Sequence, residues 1–436
     1  MSGQSTQWLA TARLLRRAGF GASGPQIDAV AKQDPSVYLD TVLGLDADRD
    51  PGAVATPRPM PVTPPTGYTT AAQLNAVNQE LERQMKDLTA WWVRRMVAVE
   101  EPIHEKLTLL WHNHFATSAQ KVPFAVWMGA QNQTLRTLKL GDFRTLAVAM
   151  LSDAAMLYWL DGFSNNANRP NENLSREFME LFTLGHGDGY SEMDVWEGAR
   201  ALTGWNIGPS GQTVVESDQH DPDVKTVLGV TGNLDYTAFC DVVLSQPGSA
   251  PFVAGRLWRQ LASDKSPSPE ALGRLVDAYG PRRDLKALTK AILSDPEFTT
   301  STGTIVTAPI EWMVGVIRAL KVPIDDPVLF DAILVTLEIM GQRPFYPPNV
   351  NGWPSGQAWL STTSTAARVW AADKFVTLGD LSTVDDAATG DRIDAAGYLI
   401  GVGAWTDRTV AALKDLVDDP KRIVAAAVNS PEYLTA

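Results

Sequence analysis

The stretch PNENLSREFMELFTLGHGDG, residues 170–189, combines a helical pattern with an unusual density of charged and amide side chains. At about 100° per residue, the polar side chains fall on one arc of roughly 140°, and apolar side chains fill most of the remainder. The polar arc consists of Glu172, Asn173, Arg176, Glu177, Glu180 and Thr183. Gly185 is the residue type that most readily ends a helix. The stretch therefore predicts a helix that packs on other helices and turns its polar arc towards water or a polar cavity.

Helical patterns recur along most of the chain, with proline and cap residues at many of the predicted helix starts. Between about residues 206 and 233 the alternation of Gly, Thr and Val instead predicts a small β-hairpin or irregular excursion. We therefore predict an all-α protein, a large multi-helix bundle-like domain with this one small excursion.

Composition divides the chain into three parts. Residues 1–45 predict N-terminal helices, and residues 70–436 predict the main helical domain that carries the candidate site. Between them, residues 46–69 contain six prolines and show no apolar periodicity. That composition is typical of a Pro-rich linker or a mobile loop.

Charge and composition exclude several classes of protein. The 436 residues carry a formal net charge of −13, which disfavours nucleic-acid binding because such binding needs a basic footprint. The single cysteine, Cys240, permits no disulfide framework within the chain. Runs of about 18 apolar residues do not occur, so we expect no membrane span. The first residues do not have the pattern of a secretion signal, so the chain as presented is expected to be cytoplasmic.

The sequence WHNHF, residues 111–115, contains two candidate metal ligands, His112 and His114. On a helix the two side chains point about 200° apart, so they cannot bind one ion together. His114 shares a face with apolar residues and points inward. With carboxylates of the acidic arc it could bind a divalent iron, manganese or zinc ion. The alternative is a buried histidine that is hydrogen-bonded within the core.

The acidic arc supplies the candidate catalytic carboxylates Glu172, Glu177 and Glu180, with Asn173 and Arg176 as candidate substrate-binding residues. Glu172, Arg176 and Glu180 are spaced four residues apart, so a Glu–Arg–Glu ladder on the helix surface is an equally simple interpretation. That ladder leaves Glu177 unexplained.

Two loops add further candidates. The first loop contains His220 and Asp221, which are candidate catalytic residues, and Lys225, a candidate substrate-binding residue. They lie within six positions of one another and could assist proton transfer. Turn formation around Pro222 explains them equally well. Trp353 and Trp359 lie in a loop with Asn and Gln, a combination that suits sugar rings. The alternative is that these tryptophans close the base of the loop. Phosphate-binding loops, H-E-x-x-H and G-x-S-x-G do not occur, which argues against simple NTPases, zincins and hydrolases of the elbow type.

Six segments of the chain form a distinctive set: RLLRRAGFG (13–21), EKLTLLWHNHFATS (105–118), PNENLSREFMELFTLG (170–185), DVWEGARALTGW (194–205), HDPDVKTVLG (220–229) and NGWPSGQAW (351–359). In order and spacing, over nearly the whole chain, this set resembles the bacterial family known as domain of unknown function 1800. The resemblance implies a single, mostly helical unit and no established activity. Members of that family often look secreted and are often encoded near an alkaline-phosphatase-like family, so the resemblance leaves export open. The six segments coincide with the polar candidates, which favours one shared site.

Two hypotheses for function follow. The first is a hydrolase, metal-assisted or carboxylate-dependent, that acts on a polar or glycan-like small molecule in a His/Glu/Arg-lined cavity between helices. The second is a non-catalytic binding or assembly protein whose polar residues form buried structural networks.

Overall fold

The computed structural model describes residues 4–63, 70–187, 189–300 and 305–435. Within them the chain is helical apart from loops and two small pairs of strands, which confirms the predicted all-α class. None of the helices in the described part is both long enough and apolar enough to cross a membrane.

Short connections link most of the helices along the chain. The first half of the chain contains α1 Thr6–Ala18, α2 Gly24–Val30, α3 Pro35–Val42, α4 Pro51–Ala55, α5 Ala71–Ala98, α6 Ile103–His114, α7 Ala125–Leu138, α8 Phe143–Leu151, α9 Ala154–Trp159, α10 Asn173–Glu177 and α11 Glu192–Ala201. The second half contains α12 Tyr236–Leu244, α13 Ser249–Leu261, α14 Pro269–Tyr279, α15 Leu285–Ser294, α16 Pro296–Thr300, α17 Pro309–Ala319, α18 Pro327–Ile339, α19 Thr362–Leu378, α20 Ser382–Asp385, α21 Arg392–Ile400, α22 Asp407–Lys414, α23 Pro420–Ala427 and α24 Pro431–Leu434. Single 3₁₀ turns occur at Gly162–Ser164, Gly356–Leu360 and Thr389–Asp391.

The predicted excursion is present as two antiparallel hairpins. Strands β1 Trp205–Ile207 and β2 Thr213–Val215 form one pair, and β3 Lys225–Val227 and β4 Val230–Gly232 form the other. With three residues in each strand, these hairpins depend on the helices beneath them for stability.

The segment quoted first is not one regular α-helix. After α10 the chain continues as a π-helix, Phe178–Thr183, which we call the π segment. The backbone N–H of Leu184 donates to the carbonyl oxygen of Met179, five residues earlier, at 2.8 Å. The arc predicted from 100° steps therefore holds only to Glu177. Gly185 has φ = +89°, which fits its predicted role at the end of the helix.

Two hydrophobic clusters form the interior. The first contains side chains from α1–α3 and from the region between α8 and α16, and the second contains side chains from α5 and from α17–α23. Helix α6 contributes Leu107 and Trp111 to the first cluster and Leu109 to the second, so it lies between them. The residues of WHNHF are therefore placed at the centre of the molecule.

A buried charge network joins α5, α6 and α7. Glu105 of α6 is 1% exposed, and its carboxylate accepts hydrogen bonds from Arg95 Nε at 2.6 Å and from Arg136 Nε and Nη2, both at 2.8 Å. Trp92 Nε1 also donates to it, at 2.9 Å. Burial raises the pKa of this carboxyl group, but the two guanidinium groups outweigh that effect and hold the pKa at about 2.

The described part of the Pro-rich stretch, residues 46–63, makes specific polar contacts with the rest of the chain. Asp50 caps α4 and accepts a hydrogen bond from the backbone N–H of Glu100 at 2.9 Å. Asp48 pairs with Arg95 at 2.8 Å, and Arg58 donates to the carbonyl oxygen of Gly129. These polar contacts hold the stretch against α5 and α7, which composition could not reveal. Residues 64–69 lie outside the described part, and the predicted division of the chain at 45 and 70 stays a prediction.

Replacing Glu105 with Gln should lower the free energy of unfolding by about 3–5 kcal/mol, because two buried guanidinium groups lose their shared counter-charge. Urea unfolding followed by circular dichroism measures this change. Glu80→Gln, which breaks the exposed pair with Arg83, is the matched control and should have little effect. Equal losses in the two variants would contradict a central role for Glu105.

The Glu105 network also predicts an acid sensitivity. The folded pKa of Glu105 is about 2 and its ordinary value is 4.5, so its contribution is complete above about pH 4.5 and disappears as the pH falls towards 2. The difference between these two pKa values corresponds to roughly 3 kcal/mol in the free energy of unfolding. Unfolding measured between pH 6 and 3 should therefore decline less steeply in Glu105→Gln than in the wild-type protein, and parallel declines would refute this assignment.

Candidate functional site

The polar side chains of α10 and of the π segment lie at the surface beside α11. Together with Glu192, the first residue of α11, they form what we call the acidic face: Glu172, Arg176, Glu177, Glu180 and Glu192. Arg176 donates through Nη2 to Glu172 at 2.6 Å and to Glu192 at 2.7 Å. The second half of the Glu–Arg–Glu ladder is not formed, because Glu180 belongs to the wider turn of the π segment. The side chain of Arg176 is thus held by carboxylates on two helices.

Three residues at this surface were not predicted as site residues: Glu192 of the acidic face, and His186 and Tyr190 beside it. Oε1 of Glu180 lies 2.5 Å from Nδ1 of His186. Burial raises the pKa of the partly buried Glu177, and the nearby charge of Glu180 raises it further. Burial and the charge of Glu180 also raise the pKa of the Tyr190 phenol. His186 is within the quoted stretch, but it follows the helix end, where helical periodicity carries no information about contacts.

The second candidate group, around the hairpins, is held by structural contacts. Asp221 accepts from Arg200 of α11 at 2.7 Å, and the buried Lys225 donates to the carbonyl oxygens of Asp221 and Asp223 at 2.6 and 2.9 Å. Nδ1 of His220 lies 3.0 Å from the carbonyl oxygen of Thr203. These contacts match the turn interpretation, since the charged groups fix the path of the loop over α11.

His114 adopts the core arrangement that was the alternative to metal binding. Its Nε2 donates to the carbonyl oxygen of Phe182, in the π segment, at 2.9 Å. Burial, followed by the charge of Arg256, lowers the pKa of this imidazole to about 3. His114 therefore reaches the backbone of the segment that carries the acidic arc. Among the described residues, no group of three or more His, Cys, Asp and Glu side chains is arranged to hold a metal ion.

His112 lies in an aromatic enclosure formed by Trp92, Phe345 and Trp353, with ring centroids 5.3–5.5 Å away. Neither ring nitrogen has a hydrogen-bond partner among the described residues. Burial lowers its pKa to about 3, so the ring is neutral. The side chain of His112 is therefore packed in an apolar environment.

The two loop tryptophans are 5% and 4% exposed, so neither ring forms an open platform for a sugar. Asn113 Oδ1 accepts from the backbone N–H of Trp353 at 2.7 Å, and the carbonyl oxygen of Trp359 accepts from Arg368 at 3.0 Å. Their burial matches the alternative interpretation, in which these tryptophans close the base of the loop, and a role in substrate binding stays a prediction. Packing against distant helices, which sequence does not show, buries both of them.

The six segments that carry the family resemblance meet in two groups. In the first, Arg200 joins 194–205 to 220–229 through Asp221, and a Cβ on Gly198 would lie 2.3 Å from Ser175 Oγ of the 170–185 segment. In the second, Asn113 joins 105–118 to 351–359. Residues 13–21 belong to the same group, because burial and the charge of Arg17 both lower the pKa of Lys106. The hydrogen bond between His114 and Phe182 links the two groups.

The second group borders a small cleft, with a volume of about 50 Å³, that sequence analysis did not predict, and we call it the Lys106 cleft. It lies between α6, the end of α13, the start of α17 and the loop before α19. Its polar lining consists of Lys106, Asn113, Arg259, Gln260, Glu311, Gln342 and Ser355, and Trp359 contributes an apolar wall. Only Trp359 among the predicted site residues borders it.

Comparison with known proteins establishes the class of the chain. A family model described as "Protein of unknown function (DUF1800)" matches residues 13–435, so the chain belongs to that family over almost its entire length. The resemblance inferred from the six segments is thereby confirmed. No curated protein and no solved structure matches the chain.

The environments of the two histidines predict losses of stability of different size for the same substitution. His114→Phe should lower the free energy of unfolding by about 1–3 kcal/mol, because the carbonyl oxygen of Phe182 loses its buried donor. His112→Phe should cost clearly less, because its ring nitrogens make no hydrogen bond with the described residues. Urea unfolding of both variants is the measurement. A larger loss for His112→Phe would show that His112 has a polar partner.

Proposed function

We propose that the protein is a hydrolase of a polar substrate in which Glu177 and Glu180 of the acidic face carry out acid–base catalysis. The observation that carries this proposal is the environment of Glu177. Its carboxyl group is partly buried, and burial together with the charge of Glu180 raises its pKa. Such a carboxyl group keeps its proton closer to neutral pH, as a general acid requires.

Glu180 is suited to the complementary role. Its contact with Nδ1 of His186, at 2.5 Å, holds the carboxyl group in place at the surface. Two neighbouring carboxyl groups in different environments are a common source of one acid and one base. In this scheme Glu177 protonates the leaving group and Glu180 accepts a proton from the attacking water.

The π segment supports this assignment. Segments of π-helix are rare and occur frequently at functional sites, because their wider turn redirects side chains. Here the wider turn separates Glu180 from Arg176 and leaves it with His186. We assign Arg176 and Glu172 a supporting role, because the guanidinium group of Arg176 is already hydrogen-bonded to Glu172 and Glu192.

One observation favours the second hypothesis, a non-catalytic binding or assembly protein. Asp221, Lys225 and His114 each direct their polar atoms to protein groups. Networks of this kind specify a unique helical packing without any substrate. This reading predicts that the acidic face can be neutralised without loss of any activity.

The test is a panel of chromogenic glycosides, esters and phosphate esters with purified wild-type protein and single variants. Glu177→Gln and Glu180→Gln should each lower the rate of the active substrate by about 10²–10⁴-fold. In the wild-type protein the rate should fall as pH rises through the raised pKa of Glu177, and this limb should be absent in Glu177→Gln.

Glu270→Gln, which changes an exposed glutamate of α14, is the control and should retain full activity. Hydrolysis that survives both acidic-face substitutions, or the absence of hydrolysis across the whole panel, would contradict the proposal and favour the non-catalytic function.

A further inference from the structure

The Lys106 cleft presents mainly hydrogen-bond donors to its interior. Asn113 Oδ1 accepts from the backbone of Trp353 at 2.7 Å, and Gln342 Oε1 accepts from the backbone N–H of Ile310 at 3.0 Å. These bonds fix both amide groups with their oxygens occupied. The NH₂ groups are left as donors, and neither has a hydrogen-bond acceptor among the residues that the structure describes.

The charges around the cleft are also predominantly positive. Lys106 is 5% exposed, and the contact that the structure gives its ammonium group is an ion pair with Glu311. Arg259, at the rim, is exposed and forms no ion pair within the described part of the chain. Among the described residues that line the cleft, the carboxylate of Glu311 is therefore the single negative charge beside the two cations.

Arg17 adds a third cation to this region. It is 5% exposed, and its charge interacts with both Glu311 and Lys106. Its Nε and Nη2 atoms are buried and have no hydrogen-bond partner in the described ranges. Glu311 is thus shared between Lys106 and Arg17, with Asp264 as a further anion that acts on Arg17. Buried cations are costly unless they are paired, so this region favours an additional negative charge.

We propose that the Lys106 cleft binds an oxyanion, a phosphate or carboxylate group of a small molecule, through Lys106, Arg259 and the amide NH₂ groups of Asn113 and Gln342. Each of these side chains donates hydrogen bonds, and ammonium and guanidinium donors form their strongest bonds with charged oxygens. Trp359 provides an apolar wall for the uncharged part of the ligand. The same donors make the cleft unsuitable for a metal cation.

This inference is independent of the proposed hydrolase. The acidic face and the Lys106 cleft share no side chain, and the cleft is argued from its own donors and charges. Either function can therefore fail without the other.

The test is isothermal titration calorimetry of the wild-type protein in Tris chloride at constant ionic strength, with inorganic phosphate and, separately, with acetate. We expect saturable binding of at least one anion, and the stronger of the two identifies the head group. Arg259→Glu should weaken that binding about ten-fold or more. Arg408→Glu makes the same change in net charge on the exposed face of α22 and should leave the affinity within about two-fold.

The double variant Lys106→Gln, Glu311→Gln removes the ion pair as a unit, so it leaves no unpaired buried charge at these two positions, and it should abolish saturable binding. If this variant does not fold, as judged by circular dichroism, Arg259→Glu alone decides the question. Absence of saturable binding of both anions to the wild-type protein would overturn the inference. Equal affinities of Arg259→Glu and Arg408→Glu would also overturn it, because the anion would then bind elsewhere.

Discussion

The buried carboxylate of Glu105 is the interaction on which the arrangement of the other helices depends. A charge with 1% exposure is tolerated only where its partners are held in place, and here those partners come from α5 and α7. Helix α6 is thereby fixed in rotation and position between the two hydrophobic clusters. The same rotation directs Lys106 and Asn113 to the cleft, His114 to the π segment and His112 to an aromatic enclosure. A single ion network thus influences the environment of four further polar residues of α6: Lys106, His112, Asn113 and His114.

The π segment has a comparable effect on the acidic face. Its wider turn moves Glu180 out of the phase of α10, so that Arg176 pairs across to Glu192 and Glu180 pairs with His186. A regular helix would have produced a neutralised surface ladder. The irregular one produces a carboxyl group with a raised pKa beside a second carboxylate. Local backbone geometry therefore decides which carboxylates pair with Arg176 and which do not.

The two regions have opposite electrostatic character although the whole chain carries a charge of −13. The acidic face concentrates carboxylates at the surface, whereas the Lys106 cleft concentrates donors around one carboxylate. The hydrogen bond from His114 to Phe182 joins the helices that carry them. Polar residues that look equivalent in the sequence therefore have three different positions in the structure. Some hold helices together, some form the acidic face, and some line the cleft.

By itself, the sequence determined the all-α class, the hairpin excursion, the end of the central helix at Gly185 and the family, because these depend on local periodicity, turn residues and the order of segments. It also proposed Glu177 and Glu180 as candidate catalytic residues, and that assignment stays a prediction. Only the tertiary structure decided that Trp353 and Trp359 are buried, that Lys225 and Asp221 fasten a loop, and that residues 46–63 pack against α5 and α7. It alone showed His186 beside Glu180 and the convergence of Lys106, Glu311 and Arg259. These outcomes depend on contacts between residues far apart in the chain and on a local departure from 3.6 residues per turn, neither of which a periodic pattern encodes.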